Sequence, residues 1–178
     1  MLPKNKILKL NLNYKDLTFP YESKNENYAS VAILMYEENS ILFIKRSNDM
    51  PTHKGHIAFP GGKKEKNDLS IVDTAIREAS EELLIDRNLV EPIGQINPVD
   101  TIEFKYKVYP ILCKLSEKPK SYNKNEVQNV FLVPIEDLRN PKNWRFRGIY
   151  PDDWIFRIDK ETLWGATAKM TRVLLRLA

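Results

Sequence analysis

A turn at Pro60-Gly61-Gly62 divides the first half of this chain into two parts with different hydrophobic patterns. Before the turn, the apolar run at 28–36 predicts a buried strand, residues 41–45 predict its hairpin partner, and residues 57–59 predict a short strand that the turn ends. After the turn, the pattern changes to the spacing of a helix that buries one stripe. The residues of that stripe are Val72, Ala75, Ile76, Ala79 and Leu83.

The second half repeats this mixture of patterns. Residues 104–108 alternate as a half-buried strand through Phe104, Tyr106 and Val108, residues 127–133 predict another strand, and Pro134 opens a short helical turn through Arg139. The chain is predicted to end in a helix. Strands before, between and after helices predict an α/β protein whose mostly strand core is covered by helices on both sides. The apolar face of the last helix consists of Leu163, Ala166, Met170, Val173, Leu174 and Leu177.

Length and composition exclude several classes of protein. The 178 residues suit one domain, and 28 Lys and Arg against 24 Asp and Glu leave a net charge of +4, which does not indicate a basic nucleic-acid arm. Cys113 is the single cysteine, so an intrachain disulfide and a four-thiolate zinc site are excluded. Lysines interrupt the N-terminal apolar residues before signal-peptide length, and no apolar stretch is long enough for a membrane span. We expect a cytoplasmic protein.

Residues 77–82, Arg-Glu-Ala-Ser-Glu-Glu, place three glutamates on the polar side of the predicted helix. Asp68 or Ser70 can be the N-cap of this helix. Glu78 and Glu82 are one turn apart. Like charges about 4 Å apart repel by about 4 kcal/mol at an effective dielectric constant near 20. The helix therefore spreads these carboxylates in water as a solvated acidic face, protonates one of them, or holds a cation among them.

The glycine turn favours the cation. Backbone carbonyl groups at Gly61-Gly62 can approach an ion without obstruction by side chains. Oxygen ligands without a Cys or His cluster select Mg²⁺ or Mn²⁺, and Mg²⁺ commonly shares its ligands between carboxylates, water and substrate phosphate. The sequence therefore indicates a phosphate-containing substrate.

Residues 77–82 resemble the core of the Nudix box, and Gly61-Gly62 with the loop after it resemble the N-terminal half of that box. A Nudix subgroup that acts on coenzyme A has a loop one residue longer, which accounts for the first two of three departures from the general box. At the third, Leu84 stands where a glycine normally ends the helix, so we expect the helix to continue toward Asn88. The three departures are Lys63, Leu69 and Leu84.

The resemblance to the coenzyme A subgroup covers about three quarters of the chain, in several separate blocks. An exception is Pro51, because the subgroup usually carries an Arg there. This difference either removes a substrate-phosphate contact or moves that contact to Lys54. The matching blocks are Leu42–Ser47, Gly55–Gly62, Asp68–Ser70, Thr74–Glu78, Asn97–Val99, Lys107–Pro110, Glu126–Val127, Phe131–Pro134 and Leu163–Ala168.

The resemblance implies a Nudix-type α/β/α sandwich with a mixed sheet flanked by helices. It divides the chain into an N-terminal extension at 1–27, with a strand packing on the domain, and a Nudix hydrolase domain at 28–178. The implied reaction is Mg²⁺- or Mn²⁺-dependent hydrolysis of coenzyme A or acyl-CoA to 3′,5′-ADP and a 4′-phosphopantetheine product. The expected partner is thus a small nucleotide and neither a membrane nor a nucleic acid, and a homodimer is compatible with this.

The resemblance also implies roles for individual residues. Glu78 and Glu82 are expected to bind the metal directly, Glu81 directly or through water, and Gly62 through its carbonyl. Gly61 is expected to lie against the substrate. Arg77 is expected to orient the carboxylates through a bidentate salt bridge.

Three further assignments stay open at this point. Glu126 corresponds in position to a loop acid that activates water or binds metal in some Nudix enzymes, and it is otherwise an ordinary surface charge, with Glu82 as the alternative base. Arg46 and Lys54 are expected to hold substrate phosphates or to be solvated.

Two other functions remain open besides coenzyme A hydrolysis. The same chemistry can act on ADP-ribose, a dinucleotide or a nucleoside triphosphate. A Nudix domain can also bind nucleotide or RNA without hydrolysis, although the three glutamates and the modest net charge of +4 argue against this.

Overall fold

Alternating apolar side chains along the central strands determine the layers of this protein. The computed structural model describes residues 10–17, 26–100 and 107–177. The predicted strand residues Phe104 and Tyr106 lie outside the described residues, as do 1–9 and 18–25 of the predicted N-terminal extension.

The elements, in chain order, comprise strands, three α-helices and two short 3₁₀ turns. The strands are β1 Lys15–Asp16, β2 Ala29–Tyr36, β3 Ser40–Arg46, β4 Ile57–Ala58, β5 Gly61–Lys63, β6 Val90–Gln95, β7 Val99–Asp100, β8 Lys107–Leu115, β9 Val127–Pro134, β10 Trp144–Phe146, β11 Trp154–Ile158 and β12 Glu161–Leu163. The helices are α1 Ile71–Leu83, α2 Ile135–Arg139 and α3 Gly165–Leu174, and the 3₁₀ turns are Arg87–Leu89 and Pro141–Asn143.

The predicted hairpin forms the middle of a mixed sheet. Strands β2 and β3 pair antiparallel, with Leu34 opposite Leu42. Strand β2 also pairs in parallel with β8, where Ala32 lies opposite Ile111. The main path of the sheet is β1-β6-β8-β2-β3-β4, while β5 pairs with β2, β7 with β8 and β9 with β3. Strand β1, which belongs to the predicted N-terminal extension, pairs antiparallel with β6.

Both faces of this sheet are buried, which confirms the α/β/α sandwich. In β2, Ile33 and Met35 face a core that includes Met170 and Leu174 of α3. Ala32 and Leu34 face the opposite core, which α1 covers with its buried stripe. Because side chains alternate between faces along a strand, one strand supplies both cores. The residues of the α1 stripe are Ile71, Val72, Ala75, Ala79 and Leu83. Among the described residues, no helix combines the length and apolar character needed to cross a bilayer.

A second sheet, which the sequence did not predict, joins α3 on its side of the molecule. Strands β10, β11 and β12 pair antiparallel in that order. Leu163 belongs to β12, so the last helix begins at Gly165 and ends at Leu174. The predicted helical face is therefore wrong at its two ends. Leu163 is fully buried but belongs to strand β12, and Leu177 lies beyond the end of the helix.

The glycine turn is also more ordered than predicted. Gly61–Lys63 forms strand β5, which pairs antiparallel with β2 and places Gly62 opposite Ser30. A Cβ atom on Gly61 would lie 2.5 Å from the backbone oxygen of Ser30. Glycine is therefore required at position 61, because the backbones of β5 and β2 approach each other closely there. This close approach lets β5 continue beneath α1.

Helix α1 ends one residue before Leu84, and the expected continuation toward Asn88 is wrong. Leu84 adopts the left-handed conformation, with φ at 51°, and its N–H donates to the Ser80 carbonyl. The next residue, Ile85, also donates its N–H to Ser80 and packs against the α1 core. Burial of Ile85 offsets the cost of a left-handed leucine, which is about 1 kcal/mol.

We therefore predict that Leu84→Gly stabilises the protein by about 1 kcal/mol, because glycine adopts this conformation without strain. Leu84 is 57% exposed, so little buried surface is lost. Urea unfolding monitored by circular dichroism measures the change. The matched control is Leu69→Gly, since Leu69 is also exposed and has a negative φ, and this variant should be no more stable than the wild type. Equal destabilisation by both substitutions would contradict the prediction.

Candidate active site

Helix α1 brings Arg77 and the three glutamates against strand β5. The helix starts at Ser70, whose hydroxyl accepts a hydrogen bond from the Asp73 N–H at 3.1 Å. Of the two predicted caps, Ser70 is therefore the one used. The buried stripe at Val72, Ala75 and Ala79 fixes the rotation of the helix. That rotation places Arg77, Glu78 and Glu82 beside strand β5.

Asp68, the other predicted cap, binds Arg77 instead. Arg77 donates from Nε to Asp68 Oδ1 at 2.9 Å and from Nη2 to Oδ2 at 3.0 Å. Arg77 Nη2 also donates to the Lys63 carbonyl at 3.0 Å. Burial alone would raise the pKa of Asp68, but the hydrogen bonds from Arg77 hold the pKa of this carboxyl below its usual value. Hydrogen bonding to Asp68 likewise raises the pKa of Arg77 despite burial.

The free end of the Arg77 guanidinium lies between two glutamates. Its Nη1 is 3.0 Å from Glu78 Oε1 and 3.0 Å from Glu81 Oε2. The side chain of Glu81 is 54% exposed, whereas Glu78 is mostly buried. Burial raises the pKa of Glu78, and the Arg77 charge opposes that rise. Arg77 thus fixes the directions of two carboxylates while it binds a third.

Glu82 is the most buried acid of the group, with 1% of its side chain exposed. Its Oε2 accepts the Gly61 N–H at 3.1 Å, and its Oε1 lies 3.8 Å from Arg46 Nη1. Burial and then the Glu78 charge raise the pKa of Glu82 to about 8, against the opposing effects of Arg46 and the Gly61 N–H. One arginine at this distance does not compensate the buried charge.

Gly62 lies directly under Glu78. A side chain at Gly62 would collide with the Glu78 carboxylate. The absence of a side chain therefore lets the Glu78 carboxylate approach the backbone of this turn.

Glu126 lies on a turn that is fixed to the other site elements. The Asn123 amide Nδ2 donates to Glu126 Oε1 at 2.9 Å, and the Ser47 N–H donates to the Glu126 carbonyl at 2.8 Å. The Asn123 N–H donates to the Glu82 carbonyl at 2.8 Å. The Glu126 charge contributes to raising the pKa of both Glu78 and Glu82, so the structure brings this loop acid to the cluster.

The two predicted phosphate-binding cations differ in position. Arg46 reaches the cluster, and its Nε is buried without a hydrogen-bond partner. Lys54 is exposed in the loop before β4 and, in the described part of the chain, makes no ion pair with these acids. A buried donor without a partner costs free energy, so Arg46 is suited to receive an anionic ligand.

Sequence reasoning did not identify three contributors to this site. Asp68 was considered only as one of two possible caps, Ser47 only as the last residue of the matching block Leu42–Ser47, and no pattern marks Asn123. Ser47 acts through its backbone N–H, a group that any residue other than proline provides, so its position follows from the fold alone. Asn123 acts through its backbone N–H on Glu82 and through its side-chain amide on Glu126.

The donor set fits a hard divalent cation. Glu78, Glu81 and Glu82 offer carboxylate oxygens, and the negative charge of Glu82 is not balanced by its neighbours. Across residues 10–17, 26–100 and 107–177, no three acidic, His or Cys side chains already converge as a metal site. The reason is visible in the contacts, because Glu81 is turned to Arg77 and Glu82 to Gly61.

Comparison with known sequences identifies relatives over most of the chain. A family model described as the NUDIX domain matches residues 26–153. The uncharacterized Nudix hydrolase NudL of Yersinia enterocolitica is 30% identical over 160 residues, covering 85% of this chain and 82% of that protein. NudL of Pectobacterium atrosepticum is 31% identical over 166 residues, covering 87% and 83%.

Solved structures share the fold at low identity. A Deinococcus radiodurans protein superposes with a TM-score of 0.57 and 14% identity, covering 91% of this chain and 99% of that one. A MutT/nudix family protein from Enterococcus faecalis gives a TM-score of 0.50 and 16% identity, covering 88% and 63%. These likenesses support the architecture of the sheet and its flanking helices.

The pKa of Glu82 yields a prediction for the metal-free protein. Folding raises this pKa from 4.5 to about 8, so the folded state takes up a proton that the unfolded chain releases, and stability falls as pH rises from about 4.5 through 8. Glu82→Gln should therefore stabilise the protein in EDTA at pH 8 by at least about 2 kcal/mol and flatten the dependence between pH 5 and pH 8. Thermal and urea unfolding at several pH values measure this.

Glu81→Gln is the matched control, because it is the same substitution on the same helix at a half-exposed carboxylate. Its effect on stability at pH 8 should stay within about 1 kcal/mol. Destabilisation by Glu82→Gln at pH 8 would contradict the prediction.

Proposed function

Since the chain belongs to the Nudix hydrolase family, we propose that it hydrolyses the pyrophosphate bond of coenzyme A or acyl-CoA with Mg²⁺ or Mn²⁺. The products are 3′,5′-ADP and 4′-phosphopantetheine or its acyl form. The observation that carries the proposal is the buried Glu82 beside Glu78, with Arg46 Nη1 3.8 Å from Glu82 Oε1 and Arg46 Nε buried without a hydrogen-bond partner. Negative charge that one arginine compensates only in part suits a metal ion, and the Arg46 N–H that lacks an acceptor suits a diphosphate.

The coenzyme A assignment rests on the sequence blocks that match this subgroup beyond the Nudix box. Three of these blocks contribute to the site, since Leu42–Ser47 contains Arg46, residues 55–62 lead into β5, and Glu126 lies beside the acids. Pro51, at the position where the subgroup usually has an Arg, keeps ADP-ribose, dinucleotides and nucleoside triphosphates as the second candidate class.

The metal would be held by Glu78, Glu82 and, directly or through water, Glu81, with the Gly62 carbonyl as a further ligand. When bound, such ions polarise the phosphoryl oxygens and neutralise developing charge. Arg77 is a positioning residue in this proposal. Its bidentate contact with Asp68 holds the guanidinium in place, and its remaining nitrogen directs Glu78 and Glu81.

The side chains of the chain itself account for substrate orientation and proton transfer. Arg46 binds a phosphate oxygen through its guanidinium, and because Nε is buried in the ligand-free conformation, the side chain turns toward the substrate for Nε to gain the partner that it lacks. Water attacks one phosphorus, the bridging P–O bond breaks, and Glu126 accepts the proton of the attacking water. Asn123 orients the Glu126 carboxylate through its 2.9 Å hydrogen bond, which leaves the second carboxylate oxygen for the proton.

A substrate panel tests the proposal directly. With Mg²⁺, we expect coenzyme A or its thioesters to give the highest kcat/KM, with 3′,5′-ADP identified by mass. The panel includes dephospho-coenzyme A, ADP-ribose, a dinucleoside polyphosphate and nucleoside triphosphates, and EDTA should abolish turnover. Cleavage of ADP-ribose with coenzyme A untouched would establish the second class instead, and inactivity of folded protein on every compound would favour a non-catalytic nucleotide-binding domain.

Removal of single carboxylates tests the assigned roles. Glu82→Gln should lower kcat by at least about 100-fold with the fold preserved, because the metal loses a buried ligand. Glu126→Gln should lower kcat by about 100-fold with a smaller effect on KM, as expected for loss of a general base. Steady-state kinetics and circular dichroism provide the measurements.

Glu91→Gln is the control, because Glu91 is exposed on β6 and lies outside the acidic cluster. It should retain wild-type kinetics. Wild-type turnover by Glu126→Gln would exclude Glu126 as the base and leave Glu82 as the remaining candidate.

A further inference from the structure

Thr74 is a fully buried threonine of α1 whose hydroxyl lies within hydrogen-bonding distance of the Asp68 carboxylate. Its single proton can go to Asp68 Oδ2 at 2.9 Å or to the Ser70 carbonyl at 3.2 Å. The carboxylate is both the nearer acceptor and a charged one, which makes its hydrogen bond the stronger. Thr74 therefore donates to the same carboxylate that binds Arg77.

Asp68 Oδ2 accepts hydrogen bonds from three parts of the chain. Besides Thr74, the donors are Arg77 Nη2 at 3.0 Å and the Glu65 N–H at 2.8 Å. A bidentate contact requires both carboxylate oxygens to face the fork of the guanidinium, so the rotation of the Asp68 carboxylate decides whether Arg77 binds it through two nitrogens. Thr74 and Glu65 hold that rotation independently of Arg77. Glu65 lies in the loop and its side chain is 67% exposed, whereas Thr74 is buried in a regular helix.

The spacing of Thr74 and Arg77 lets both side chains reach Asp68 from one helix. They lie three residues apart, and residues at this spacing are neighbours on a helix surface. The far end of the guanidinium, Nη1, is 3.0 Å from Glu78 Oε1 and 3.0 Å from Glu81 Oε2. A rotation of the Asp68 carboxylate would therefore move the group that directs two of the three glutamates.

Tyr28, directly before β2, orients the Thr74 hydroxyl. Its Oη lies 3.3 Å from Thr74 Oγ1, and because Asp68 takes the Thr74 proton, Tyr28 is the donor in this contact. Burial raises the pKa of Tyr28, so its hydroxyl keeps the proton that it donates. The Tyr28 ring is fully buried and meets the Tyr109 ring of β8 edge-on, with the centroids 5.6 Å apart. The hydrogen bonds therefore run in one direction, from the sheet to the Asp68 carboxylate.

We propose that Thr74 is a positioning residue of the active site. Its hydroxyl, oriented by Tyr28, sets the rotation of Asp68 and thereby the place of the Arg77 guanidinium. The consequence for a metal rests on the proposed function, because carboxylates that Arg77 no longer directs would bind a divalent cation less tightly. The place of Arg77 is itself a property of the metal-free protein and can be measured there.

Hydrogen exchange at Arg77 tests the positioning in the presence of EDTA. The Arg77 Nε–H gives a ¹H–¹⁵N NMR signal, identified by its loss in Arg77→Lys, and it should exchange slowly with water because its hydrogen bond to Asp68 Oδ1 is buried. Thr74→Val removes the hydroxyl at similar volume and should speed this exchange by at least about fivefold. Thr74→Ser keeps a hydroxyl and should return the rate to within about twofold of the wild type.

Manganese binding without substrate tests the consequence for the metal. Electron paramagnetic resonance of free Mn²⁺ should show about fivefold weaker binding by Thr74→Val, less than the roughly 10- to 100-fold loss that follows removal of a direct partner of a metal ligand. Tyr28→Phe should weaken binding in the same direction by a smaller factor.

Thr171→Val is the matched control. Thr171 is also fully buried in a helix, and its hydroxyl donates to the Thr167 carbonyl at 2.8 Å. Its helix, α3, covers the other face of the sheet. This variant should leave both the Arg77 exchange rate and the Mn²⁺ affinity at their wild-type values.

The outcomes separate this inference from the proposed function. An unchanged Arg77 exchange rate in Thr74→Val, or an unchanged Mn²⁺ affinity where the wild type binds the ion, overturns the positioning role whether or not the wild type cleaves coenzyme A. Lower stability with both measurements unchanged would make Thr74 a residue of the core alone. Faster exchange in Thr74→Val, together with no Mn²⁺ binding and no hydrolysis by the wild type, supports the positioning of Arg77 and overturns the proposed reaction. If Thr74→Val does not fold, the same two measurements on Tyr28→Phe decide.

Discussion

The bidentate contact between Arg77 and Asp68 is the interaction on which the acidic cluster depends. It anchors a guanidinium under the loop before α1, and the remaining nitrogen then lies between Glu78 and Glu81. Without that cation, three carboxylates within one and a half helical turns would repel each other and turn apart in water. The contact also ties the Lys63 carbonyl to the helix, so β5 and α1 are held together at the point where the glycines lie.

Glu82 shows the cost of this arrangement. Its carboxylate is removed from water next to a second acid, and the Gly61 N–H and a distant Arg46 compensate only part of the lost hydration. A protein selected for stability alone would place an uncharged side chain there. Under the proposed function, cations held at this site against a diphosphate would compensate that charge, and the cluster would then be more favourable with its ligands bound than without them.

Much of this organisation could be predicted from periodicity. The hairpin of β2 and β3, helix α1, strand β9 and the turn of α2 follow from alternation, from 3.6-residue spacing and from the position of Pro134. The glutamates of residues 77–82 were identifiable because they lie off the apolar stripe. Other features depend on tertiary contacts, such as the left-handed Leu84, which burial of Ile85 makes acceptable, and strand β5, which exists only because β2 passes within reach. Asp68 could not be distinguished from a cap, since both roles call for an acceptor at the start of a helix.

In the connection that carries Glu126, backbone hydrogen bonds fix the residues from Asn123 to Glu126, and the residues around Lys118 lie outside those bonds. The Asn123 N–H holds the end of α1 through Glu82, and the Glu126 carbonyl is held by Ser47 at the end of β3, whereas Glu117, Lys118 and Lys120 are exposed and outside these bonds. Insertions around Lys118 therefore lengthen the connection without displacing the acid, because the two backbone bonds set its position independently of the chain leading to it. Related proteins can therefore differ in the length of the connection around Lys118. New contacts with a ligand can arise there through small changes in sequence, while the position of Glu126 is kept.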